Sequence, residues 1–104
     1  MVSTVKDPVL AVMSLSGGND GLNTVIPYNN SKYRDYRPSL SIASESIIPI
    51  NDQLGLHPAM APLKKYWDEG HLAIIVGVGY PNGSLSRFRS MDIWATCEPD
   101  ELGL

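Results

Sequence analysis

The sequence predicts an α/β domain with a parallel central sheet, on three observations. Two apolar runs, Pro8-Val9-Leu10-Ala11-Val12-Met13-Ser14-Leu15 and Leu72-Ala73-Ile74-Ile75-Val76-Gly77-Val78, are continuous rather than alternating, the pattern of strands covered on both faces. Each run stops at a glycine-rich loop, Ser16-Gly17-Gly18-Asn19-Asp20-Gly21 and Gly79-Tyr80-Pro81-Asn82-Gly83, as a strand ending in a tight turn does. Between them, residues 58–69 place Ala59, Leu63, Tyr66 and Trp67 on one stripe, which reads as a crossover helix.

The elements follow in chain order. The run ending at Leu15 is a central strand. Residues 30–37 read as a short surface helix that Pro38 ends, because the residue before a proline is pushed out of the helical region. Ile47-Ile48-Pro49-Ile50 reads as a short edge strand, since its proline would remove a ladder hydrogen bond from a central one. Pro58 suits the first position of the crossover helix and Gly70 its stop. A strand, helix and strand joined in this way are parallel and right-handed. Both glycine-rich loops then fall on the sheet edge where open α/β folds bind ligands. Ser84 or Ser86 opens a last helix, with Leu85, Phe88, Met91, Asp92 and Ala95 along one side, Trp94 nearby and Pro99 marking its end. Two or three strands do not enclose a parallel sheet, so residues 1–104 are expected to be a single, incomplete domain, the N-terminal part of a larger α/β protein.

Composition narrows the function classes. Hydrophobic residues make up 43% of the 104 and charged residues 18%, which excludes a wholly disordered chain. Eight basic against eleven acidic residues leave a formal charge of −3, and no Lys/Arg cluster is available to neutralise a phosphate backbone, so nucleic acid is not an expected partner. No apolar run approaches the ~20 residues that span a bilayer. Read from Met1, the N-terminus has neither a basic start with a long apolar region nor a twin-arginine pair, an expectation of cytoplasmic residence if Met1 is the true start. The single cysteine, Cys97, forms no internal disulfide.

Two loops hold the candidate chemistry. In the first, Asp20 supplies a carboxylate and Asn19 a neutral oxygen just beyond a strand, the donor types a divalent cation takes, although too few to close a site. The same residues also serve as turn caps. In the second, a serine at a helix start lies in positive potential, where backbone amides stabilise an oxyanion or phosphate and Arg87 or Arg89 can pair with the anion. Ser86 is then a metal-activated nucleophile, or simply the helix cap with the arginines on a solvated face. Gly77-Val78-Gly79 does not continue into a dinucleotide fingerprint, because Asn82 stands where the third glycine belongs. His57 reads as a helix cap or packing residue, and His71 lies at the surface without a partner at ligand spacing.

The blocks from Leu15-Ser16-Gly17-Gly18-Asn19-Asp20-Gly21-Leu22-Asn23-Thr24-Val25-Ile26-Pro27-Tyr28, through Tyr33, Arg37-Pro38-Ser39-Leu40 and Leu56-His57-Pro58, to Gly70-His71-Leu72-Ala73-Ile74-Ile75-Val76-Gly77-Val78-Gly79-Tyr80-Pro81 and Ser86-Arg87-Phe88-Arg89-Ser90-Met91-Asp92-Ile93-Trp94 together resemble one family. It is the large, mostly bacterial, uncharacterised sulfatase-like family of the alkaline-phosphatase superfamily, a domain of unknown function. The resemblance implies an α/β/α sandwich of several hundred residues, of which this chain is like the first quarter or third, the missing C-terminal part being its partner. It also implies hydrolysis of small phosphate or sulfate esters with one or two divalent metals such as Zn, Mg or Ca. Asp20 matches the metal ligand after the first strand, Asn19 an accessory ligand, and Ser86 the nucleophile opening a later helix. Family members usually carry Ser-His-Phe where this sequence has Ser86-Arg87-Phe88, so a possible imidazole ligand is replaced by a permanent cation. Two functions follow: a metal-dependent ester hydrolase, inactive as this fragment, or a non-catalytic member that holds an anion or anionic glycan through Arg87 and Arg89. Family members are often exported.

Overall fold

The computed structural model describes residues 6–81, 83 and 85–98. The chain is mixed α/β and divides into two compact units, one holding residues 6–19 and 85–98, the other residues 20–81 and 83.

In the larger unit the elements run α1 (Gly21–Thr24), β1 (Val25–Ile26), α2 (Ser31–Asp35), a 3₁₀ turn at Ser44–Ser46, β2 (Ile48–Pro49), β3 (Gly55–Leu56), a 3₁₀ helix at Pro58–Leu63 and α3 (Lys64–Asp68). The sheet has the order β1-β3-β2 and both ladders are antiparallel, with Val25 opposite Leu56 and Ile48 opposite Leu56 on the other side. The central strand is therefore Gly55-Leu56, and Pro49 stands on an edge strand as its missing N–H requires. Gly55 is dictated by the close approach of its neighbours. A Cβ there would run into Ile47 Cγ2 and lie 3.1 Å from the Ile48 carbonyl oxygen and 3.2 Å from Tyr28 Cδ1. Around this strand, Ile26, Tyr33 and Ile47 form a small core, with Tyr28 and Ile42 packed against it; Leu56 is 1% exposed.

Local chemistry fixes the helix ends. Asn30 caps α2 by accepting from the Lys32 N–H at 3.0 Å. His57 Nδ1 accepts from the Ala59 N–H at 3.0 Å, so its role is the helix cap that the sequence allows. The expected helix over 58–69 forms in two parts. Pro62 has no N–H to donate, and the segment runs as 3₁₀ through Leu63 before becoming α-helical at Lys64. Its end is the predicted glycine stop: Gly70 adopts φ +75°, the Gly70 N–H donates to the Trp67 carbonyl at 3.0 Å, and the His71 N–H donates to the Tyr66 carbonyl at 2.8 Å. Those two bonds are the paired closure of a helix terminus by a left-handed glycine. Trp67 Nε1 donates to the Ile50 carbonyl at 3.0 Å and ties α3 to the loop after β2.

A parallel sheet is not among the described elements, whose three-stranded sheet is antiparallel. Residues 8–15 and 72–78 form neither helix nor strand, and most of their side chains are open, with Val9 92% and Ile75 81% exposed while Leu72 and Ile74 are half-buried. A strand exists only when its N–H and C=O groups meet a ladder partner. Among the described residues neither run has one, so the segment from 58 to 69 connects no pair of strands.

In the smaller unit the regular element is α4 (Arg87–Thr96), capped at its N-terminus by the position of Ser86 and closed by Cys97 at φ +60°. The predicted stripe Leu85, Phe88, Met91, Asp92 and Ala95 is exposed, as is Trp94, and the buried residue of this helix is Ile93. The buried Ile93 lies on the opposite side of the helix from Phe88, Met91 and Ala95, so the predicted stripe is the uncovered face. The expected end at Pro99 and the alternative start at Ser84 lie outside the described residues.

Candidate functional site

The first candidate loop is held by a polar network within the larger unit. Arg37 donates through Nη1 to Asp20 Oδ1 at 2.9 Å and through Nη2 to Asp20 Oδ2 at 2.7 Å. This is a two-pronged guanidinium–carboxylate pair, the strongest geometry such groups reach. One turn along, Asn23 uses both ends of its amide: Oδ1 accepts from the Tyr33 hydroxyl at 2.6 Å, and Nδ2 donates to the Leu40 carbonyl at 2.8 Å. The Tyr33 hydroxyl in turn accepts from the Ile42 N–H at 2.8 Å. Arg34 donates to the Ile42 carbonyl at 3.0 Å and to Ser44 Oγ at 2.7 Å. Thr24 Oγ1 donates back to the Asp20 carbonyl at 2.9 Å.

These bonds pull Asp20-Gly21-Leu22-Asn23-Thr24 onto α2 and the segment that follows it. The local sequence permits this because Gly21 opens a helix of only four residues, after which the chain turns directly into β1. Sequence reasoning assigned no role to Asn23, Tyr33 or Arg37. Tyr33 and Arg37 do stand in the blocks that carry the family resemblance, and that coincidence was the signal pointing to them.

The donor set does not fit a divalent cation. Both Asp20 oxygens are engaged by Arg37, and among the described residues no three His, Cys, Asp or Glu side chains gather as a ligand group. Asn19 belongs to the smaller unit, where its N–H donates to the Gly17 carbonyl at 3.1 Å.

The second candidate region lies in the smaller unit. Ser86 is the N-cap residue of α4, with extended backbone at φ −80° and ψ 121°, and its hydroxyl makes no bond to the amides of the helix's own first turn. Arg87 extends from the first position of α4 over the ring of Phe88, 4.9 Å from the centroid. Its Nη1 lies 3.7 Å from where a Cβ would sit on Gly17. Gly17 has φ +102°, a conformation that side-chain-bearing residues rarely adopt, so the loop both turns sharply and leaves room for the guanidinium. Arg87 and Gly17 line a cleft of about 380 Å³, with Met13, Leu15, Ser90 and Trp94. Arg89 is half-buried and already engaged within the protein.

The predicted site residues thus divide between the units. Asn19, Ser86, Arg87 and Arg89 belong to the smaller one, and Asp20 to the larger, with Arg37 as its partner. Chemically, the smaller unit presents a cation beside a helix N-terminus and the larger a neutralised ion pair. No helix among the described residues is long and apolar enough to cross a membrane. No protein-family model, curated protein or solved structure matches the chain.

Proposed function

We propose that this chain is the anion-recognising part of a larger α/β protein that binds phosphate or sulfate esters, with Arg87 as the residue that takes the anion. The observation that carries this reading is the placement of Arg87 against Gly17 at the start of α4. There a fixed cation adds to the positive end of a ten-residue helix, and a guanidinium matches a tetrahedral oxyanion with two parallel donors. The larger protein is supported by the two continuous apolar runs, whose exposed side chains ask for cover on both faces. In that protein they are parallel strands of an alkaline-phosphatase-like sandwich, as the family resemblance implies.

Calorimetric titration with inorganic sulfate tests the proposal. Wild-type protein binds sulfate, and Arg87→Gln weakens binding about tenfold, the effect of losing one charge-assisted contact. Equal binding by both proteins contradicts it.

The second reading is hydrolysis, with Ser86 as nucleophile and the ester anion on Arg87. It is favoured by the place of Ser86 at the helix start, where backbone amides stabilise developing negative charge. A divalent metal polarises the ester in this superfamily's chemistry. The donors described here do not fit one, and the binding reading therefore stands first.

A further inference from the structure

We infer that Asp20 serves this protein as the counter-ion of Arg37 and that the Asp20–Thr24 turn is a structural clasp closed to divalent cations. The inference is independent of the anion site at Arg87.

Three features carry it. The fork engages both carboxylate oxygens, at 2.9 and 2.7 Å, so the carboxylate cannot chelate a cation without leaving Arg37. The partners are unequally covered: the Arg37 side chain is 17% exposed and that of Asp20 47%. A cation drawing Asp20 away would leave a permanent charge largely cut off from water, and would add a second positive charge close to it. Finally, the other polar side chains of the turn are already bonded within the protein. Asn23 is bonded at both ends, to Tyr33 and Leu40, and the Thr24 hydroxyl returns to the Asp20 carbonyl. The polar side chains of the turn are therefore already committed, and its acidic residue has an internal purpose: to fasten a glycine-rich segment to the residues that follow α2.

The unequal burial gives the clasp a signature. Removing Asp20 strands the more buried partner, whereas removing Arg37 leaves a carboxylate that water can reach. In urea unfolding of the full 104-residue chain, Asp20→Asn lowers the midpoint more than Arg37→Gln does, and the double variant falls by less than the sum of the two. In a parallel Mn²⁺ titration followed by NMR, the amide resonances of residues 20–24 of the wild type keep their linewidths at millimolar metal. That measurement stands even where Asp20→Asn does not fold. Selective Mn²⁺ broadening of residues 20–24 in the wild type and in Arg37→Gln overturns the inference, as does an Arg37→Gln variant whose urea midpoint equals that of the wild type.

Discussion

Two stretches of this chain start from similar chemistry and reach different ends. Asp20-Gly21-Leu22-Asn23 and Gly83 to Arg89 both set small residues before a helix, and both hold polar side chains suited to a ligand. In the first, the polar side chains find internal partners: Asp20 takes Arg37, and Asn23 takes Tyr33 and Leu40. In the second, Arg87 stands over Phe88 and beside a glycine, at the margin of an open cleft. Residue type alone does not separate a binding loop from a fastening. The separation lies in whether a complementary side chain is within reach, and Arg37 is seventeen residues away in sequence from the carboxylate it neutralises.

Substitutions can sharpen this contrast, beginning with the frame that supports the clasp. Leu56→Ala empties the central strand position opposite both Val25 and Ile48 and should cost about 2–5 kcal/mol of unfolding free energy, read from the urea midpoint. Smaller losses follow from Gly55→Ala, which forces Ile47 and Tyr28 apart; an overpacked site of this kind costs ~1–3 kcal/mol. Tyr33→Phe keeps the ring in the core and removes only the hydroxyl that joins Asn23 to the Ile42 amide. Its expected cost is about 1 kcal/mol, because a half-buried donor and acceptor lose their partner. A midpoint unchanged in Tyr33→Phe would mean that the network is a consequence of the fold and not a cause.

At the low end stand the exposed groups. Arg87→Gln should leave stability within about 0.5 kcal/mol of wild type, as surface changes do, while sulfate binding falls. Ile75→Ser should also lie within ~0.5 kcal/mol, since the side chain is open to water. A large loss there would show that residues 72–78 are covered in solution. That result would turn the comparison toward a paired strand.

Much of the local architecture was legible in the sequence because its causes are local. Asn30 before α2, His57 and Pro58 before the 3₁₀ helix, Gly70 after α3 and Pro49 on an edge each act on neighbours within a few residues, and Ser86 stands at the N-cap position of α4. The strands β1 and β3 were not legible. Two residues each is too short for any periodicity, and their pairing joins Val25 to Leu56 across thirty-one positions. The apolar runs at 8–15 and 72–78 form no strand among the described elements for a related reason: a continuous pattern states what a strand requires on its faces but cannot supply the neighbour. The pairing of Asp20 was not legible for the same reason, since Arg37, which engages both its oxygens, lies seventeen positions away.

The most direct test of the account is one NMR experiment, a sulfate titration of the ¹⁵N-labelled chain followed at every assigned amide. The account predicts shifts at Gly17 and residues 86–90, with residues 20–24 unmoved. Shifts centred on residues 20–24, or none at Gly17 and residues 86–90, would contradict it.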